Sequence, residues 1–157
     1  MNEERNKSII YAPCSGEVIK LEDVPDEVFS SGIMGDGFAI LPIDKKIASP
    51  TFGKVENAYK TGHAYTILSN DGLDILIHIG IDTVELDGEH FKRKVSAGDK
   101  VKKGDILATA DIEKIKEVGF DPVCILVISN YEKMQGSEIK YGKCKLGDEI
   151  IKYTISN

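Results

Sequence analysis

Short runs of alternating apolar and polar residues recur along the whole chain: VIKL (18–21), FAILPI (38–43), YTIL (65–68), DILIHIGI (74–81), ILATA (106–110), VCILVISN (123–130) and IIKYTI (150–155). Each is rich in β-branched residues and bounded by Gly, Pro, Asp or Asn, so each reads as a strand. Many short strands separated by turn signals predict an all-β, antiparallel β-sandwich or barrel. Two segments break the period. DIEKIKEVG (111–119) is predicted helical: Asp111 can cap it, Ile112, Ile115 and Val118 share a face, and Gly119 can end it. DEVFSSGIM (26–34) is a second short helical turn, with Phe29 and Ile33 four residues apart and Met34 next.

The chain also echoes itself. Ala12-Pro13-Cys14-Ser15-Gly16-Glu17-Val18 and Ser49-Pro50-Thr51-Phe52-Gly53-Lys54-Val55 share a small-Pro-x-x-Gly-x-Val pattern. Gly98-Asp99 and Gly104-Asp105 flank Val101 as paired tight-turn signals. Such hairpins suit a compact barrel-sandwich hybrid with internal two-fold character. No linker or low-complexity stretch divides the chain, so we expect a flexible tail over residues 1–8 and a single domain over 9–157.

LDILIHIGIDTVELDG (73–88) sets one histidine among isoleucines. Successive strand residues point to opposite faces. Leu73, Ile75, Ile77, Ile79 and Ile81 therefore predict a continuous apolar face. Asp74, Leu76, His78, Gly80 and Asp82 form a mixed one. A buried, hydrogen-bonded core histidine is the plain reading. Against it, His78 lies off the isoleucine stripe, on a strand that packed isoleucine would hold rigid, as a reactive group requires. Gly80 leaves room for a ligand or another backbone to approach. His63 begins a strand after Thr61-Gly62, and His90 falls in a charged turn that reads as solvated surface. Sequence spacing does not decide whether His63 and His78 converge.

Composition narrows the functional classes. The 157 residues suffice for one sizeable core. With 20 Lys+Arg against 26 Asp+Glu the net charge is −6, which argues against nucleic-acid binding and favours a basic protein partner. Cys14, Cys124 and Cys144 are odd in number and lack CxxC spacing, as suits a reducing compartment. The opening MNEERNKS carries both charge signs and reads as neither signal peptide nor amphipathic anchor. The run Ile75–Ile81 is too short to span a bilayer. These features predict a cytoplasmic protein without a membrane anchor.

Several long segments, in order, resemble one family. ILIHIGIDTVELDGEHFKR is similar to the active-site segment of glucose-type enzyme IIA of the bacterial phosphoenolpyruvate-dependent sugar phosphotransferase system. APCSGEVIKLEDVPDEVFSSGIMGDGFAILP (12–42) resembles its N-terminal signature, and KTGHAYTI and DPVCILVISN match further segments. The resemblance runs from about Ile9 onward. It implies an antiparallel β-sandwich whose phosphorylated histidine, here His78, accepts phosphate from HPr and gives it to a cysteine of a permease IIB domain. It further implies that His63 orients and stabilises the phosphoryl group and that Thr61 hydrogen-bonds His63. Phe29, Ile33, Met34, Tyr59 and Leu76 would ring the histidines, with Gly80 beside them. Asp26 and Asp82 would meet basic residues of HPr. No cofactor and no intrinsic metal are implied, although His63 and His78 could share zinc with a partner. Regulatory docking to transporters or enzymes is compatible with the same reading.

Chemistry agrees with these roles. A neutral imidazole has a free nitrogen to attack phosphorus. The group in flight needs oriented donors, for which a second imidazole and backbone N–H groups beside Gly80 are candidates. The sequence has no P-loop or kinase signature. Gly62 stands where relatives often carry a larger polar residue, which predicts a looser loop. Two other readings compete. A zinc hydrolase would use His63, His78 and an aspartate, but the residue two after His78 is Gly80 rather than a second histidine. A biotinyl or lipoyl carrier would use Lys133, which instead follows Tyr131-Glu132 in a charged loop.

Overall fold

A computed structural model describes residues 8–156. Of the expected tail, residues 1–7 lie outside the described residues, and Ser8 pairs with Tyr153 at the start of the first strand. The strands are β1 (Ser8–Tyr11), β2 (Gly16–Lys20), β3 (Asp36–Pro42), β4 (Lys46–Ala48), β5 (Gly53–Ala58), β6 (Ala64–Ser69), β7 (Asp74–Ile79), β8 (Phe91–Arg93), β9 (Lys100–Val101), β10 (Ile106–Ala110), β11 (Cys124–Ile128), β12 (Met134–Ile139), β13 (Gly142–Cys144) and β14 (Glu149–Ile155). The helices are α1 (Glu27–Ser30) and α2 (Ile112–Glu117). The main sheet has the order β13-β2-β3-β11-β7-β6-β5-β9, and smaller sheets β1-β14-β12 and β4-β10-β8 complete the sandwich. Every strand pairing is antiparallel, as the alternation predicts.

The repeated motif marks a structural two-fold. The Tyr11 N–H donates to the Pro50 carbonyl at 2.8 Å, and the equivalent Ala48 N–H donates to the Pro13 carbonyl at 2.7 Å. The Ala12 N–H reaches the Asp148 carbonyl, and the Ser49 N–H reaches that of Asp105, both at 2.8 Å. Three Gly-Asp turns close alike: Asp99, Asp105 and Asp148 accept from the N–H three residues earlier at 2.9, 2.8 and 2.8 Å. The Gly147-Asp148 turn thus adds a third to the two expected from the sequence.

The main core holds Leu73, Ile75, Ile77 and Ile79 with Phe38, Ile40, Ile67 and Leu126. A smaller cluster lies on the opposite face of β3, β11 and β7, where Leu21, Val24 and Phe29 cover Ala39, Val123, Ile125 and Val127. The strand β11 is buried throughout because it is covered on both sides. The predicted isoleucine stripe ends at Ile79. Gly80, at φ 83°, turns the chain, and Ile81 packs with the smaller cluster instead. On α2, Asp111 accepts from Lys114 N–H and Ile112 and Ile115 are buried as expected, whereas Val118 is exposed past the helix end.

Candidate functional site

The register of β6 on β7 pairs Ala64 with His78, which brings the residue just before β6, His63, beside the end of β7. The Ile79 N–H donates to the His63 carbonyl at 2.7 Å and extends the ladder across both histidines. Their ring centroids are 5.1 Å apart at 83°. Phe29 lies against His78 at 5.1 Å, and Tyr59 meets His63 edge-on at 5.6 Å. The four rings form one row.

Each imidazole has one nitrogen committed. His78 Nδ1 is 2.7 Å from the Gly80 carbonyl oxygen. A carbonyl only accepts, so Nδ1 carries the hydrogen and Nε2 keeps its lone pair. His63 Nδ1 is hydrogen-bonded to the Thr61 hydroxyl, which leaves its Nε2 free. Burial, and secondarily the charge of His78, lower the pKa of His63 to about 4. Burial also lowers that of His78, opposed by the Gly80 carbonyl and by Asp26 and Asp82. Both rings are therefore neutral near pH 7.

The turn after His78 is tightly built. The Gly80 N–H donates to the Val123 carbonyl at 2.7 Å and the Ile81 N–H to the Asp121 carbonyl at 3.0 Å. The Thr83 hydroxyl donates to the Ile79 carbonyl at 2.5 Å. A Cβ at Gly80 would lie 2.4 Å from Thr83 Cγ2 and 2.9 Å from the Asp121 oxygen. The close approach is thus made by another backbone. The N–H groups flanking Gly80, expected as donors to a phosphoryl group, are spent on the fold. Gly62, expected to loosen its loop, is instead buried at φ 76°, with its virtual Cβ 3.0 Å from Phe91 Cβ.

Of the residues expected to ring the histidines, Ile33 is 81% exposed, which excludes a core role, and Tyr59 and Met34 are exposed too. Met34, Tyr59 and half-buried Leu76 line one groove. Phe29 departs from the expected exposed ring: it is buried in the smaller cluster and touches the site from below. Asp26 caps α1, accepting from the Val28 N–H at 2.9 Å. Asp82 sits at φ 59°, after the Gly80 turn. Sequence reasoning missed Val28 and Val84, exposed apolar residues two positions beyond each acid. It also missed Asp121, although an Asp-Pro pair before a strand is a turn signal. His90 is half-buried at φ 76°, and its carbonyl accepts the Asp111 N–H, so it is not simply solvated surface. Lys133 is exposed on a 3-10 turn. Among the described residues, no group of three or more His, Cys, Asp or Glu is placed to hold a metal ion, and no helix is long and apolar enough to cross a membrane.

Two imidazoles, each with Nδ1 hydrogen-bonded and Nε2 free, thus meet on an antiparallel β-sandwich. The sequence model of the phosphoenolpyruvate-dependent sugar phosphotransferase system EIIA 1 family matches residues 8–134, and the chain belongs to that family. The glucose-specific EIIA component of Buchnera aphidicola is 43% identical over 92% of this chain and 90% of its own length. The beta-glucoside-specific EIIBCA component of Bacillus subtilis is 44% identical over 87% of this chain, but the match spans only 22% of that longer protein. The solved glucose permease IIA from Mycoplasma capricolum superposes with a TM-score of 0.87 at 35% identity, covering 97% of this chain and 99% of that one. Membership makes the protein a phosphotransferase-system component with a phosphocarrier role in sugar transport.

Proposed function

We propose that Nε2 of His78 is the atom that carries the phosphoryl group. The observation that carries this reading is the 2.7 Å contact from His78 Nδ1 to the Gly80 carbonyl, which leaves the Nε2 lone pair available beside a second imidazole. The P–N bond of phospho-HPr breaks as P–Nε2 forms. The His78 ring keeps its Nδ1 hydrogen throughout. In the second transfer P–Nε2 breaks as a P–S bond forms on a IIB cysteine thiolate, and neutral imidazole leaves. No metal or nucleotide is required by this balance.

Thr61 donates its hydroxyl hydrogen to His63 Nδ1, so His63 presents Nε2–H to a phosphoryl oxygen. Ile33, Met34, Tyr59 and Leu76 form the apolar docking surface, with Phe29 supporting His78 from beneath. Asp26 and Asp82 meet cationic side chains of HPr at the rim, where charge sets orientation and on-rate more than affinity. Such a carrier works in the cytoplasm and serves a sugar permease, as a free protein or as part of a longer one.

Incubation with phosphoenolpyruvate, enzyme I and HPr should add one phosphoryl group, seen by intact-mass spectrometry. His78→Ala should abolish the addition. Labelling that persists in that variant would overturn the assignment.

A further inference from the structure

The hydrogen bond that sets the His78 tautomer is itself held in place. The accepting oxygen belongs to the Gly80–Ile81 peptide group, whose N–H donates to the Asp121 carbonyl at 3.0 Å. A trans peptide is planar, with its N–H and C=O pointing in opposite directions. Anchoring the N–H on one side therefore aims the oxygen on the other. The preceding N–H, of Gly80, is anchored by the Val123 carbonyl at 2.7 Å. Both anchoring carbonyls flank Pro122, and the segment is closed by one side-chain bond: Asp121 Oδ1 accepts the Val123 N–H at 2.9 Å. This is an Asx turn, in which the side chain fixes its own backbone two residues on. The Asp121 side chain is otherwise exposed, so the hydrophobic core does not hold it.

We propose that Asp121 is a positioning residue for His78, acting through the Gly80–Ile81 peptide group to keep the hydrogen on Nδ1 and the lone pair on Nε2. The role rests on His78 being the phosphoryl acceptor, but the contact chain exists without phosphate. It can therefore be read separately.

The test is long-range 15N–1H NMR on the unphosphorylated protein, which reports the share of each His78 tautomer. Wild type should show the Nδ1–H form almost alone. Asp121→Ala should raise the share of the Nε2–H form about fivefold, the weight of one ordinary hydrogen bond. Asp121→Asn retains an acceptor at Oδ1 and should restore the wild-type spectrum. Asp121→Glu keeps the charge but not the turn geometry, and should behave as the alanine variant does, which covers the case of a poorly folded Asp121→Ala. Asp111→Ala removes the cap of α2 and serves as a control for general loosening. An unchanged tautomer ratio in a folded Asp121→Glu or Asp121→Ala would overturn the proposal, as would an equal shift in Asp111→Ala. Failure of wild type to take a phosphoryl group on His78 would refute the proposed function and leave the tautomer result standing.

Discussion

The Ile79 N–H bonds the carbonyl oxygen of His63 at 2.7 Å, so the strand end that presents one imidazole is stitched to the backbone of the other. Each ring also has a hydrogen-bond anchor that is not the other ring. Thr61 holds His63, and Gly80 holds His78.

This separation makes the two histidines dissectable. His63→Gln should still be labelled on His78, because the Gly80 contact is untouched. Transfer onward to a IIB domain should slow by roughly 10²–10³-fold, the usual loss when one preorganised donor to a developing charge is removed. Thr61→Val should give a smaller loss of the same kind, since His63 stays but its tautomer is no longer set. Quenched-flow chase of labelled protein into IIB measures both. An onward rate within twofold of wild type in His63→Gln would rule out a stabilising role for that ring.

How much of this was legible beforehand depended on how local the causes were. Alternation found β7 and placed His78 off the isoleucine face, because strand parity is a local rule. It failed at Ile81, where a left-handed glycine resets the direction of the side chains. Phe29 and Ile33 looked like one helical face, but α1 ends at Ser30, so the first is buried and the second is 81% exposed. The convergence of the histidines follows from the β6–β7 register, which is a tertiary fact. The strands β4, β8, β9 and β13 have three residues or fewer, too short for any period to show. The residues proposed for docking came from family resemblance and not from pattern.

Acidification should destabilise the fold through His63. Its pKa is 6.5 as a free side chain and about 4 in the folded protein. Between those values the unfolded chain binds more protons, so stability rises with pH across the window and is lost on going down through it. His78 is shifted in the same direction. The His63 contribution, a ring only 4% exposed, is about 2 kcal/mol between pH 7 and pH 5. That corresponds to roughly 5 °C in Tm. Calorimetry of wild type and His63→Gln at the two pH values isolates it, with the shallower fall expected in the variant. Phosphorylation of His78 should then raise the His63 midpoint, because a phosphoryl dianion favours the imidazolium. Equal pH slopes in both proteins would contradict the shifted value.

The internal two-fold makes a paired prediction about Gly16 and Gly53. A Cβ on Gly16 would lie 1.9 Å from the Leu41 carbonyl oxygen, and one on Gly53 would lie 2.2 Å from that of Leu68. In both cases the obstacle is backbone of the neighbouring strand, which cannot swing aside as a side chain can. The register sets both contacts: Gly16 opposes Pro42 and Gly53 opposes Ser69. Alanine at either site must push β2 from β3, or β5 from β6, at a cost of about 1–3 kcal/mol, the usual range for overpacking. Gly53→Ala strains the end of β6 remote from His63. It should therefore lower the urea midpoint while leaving the labelling rate of His78 within twofold wherever the variant remains folded. Gly16→Ala should fall by a similar amount, since it occupies the equivalent place in the other half. A wild-type midpoint for Gly53→Ala would mean that the strands part freely there, and that the repeated glycine is not enforced by the close approach.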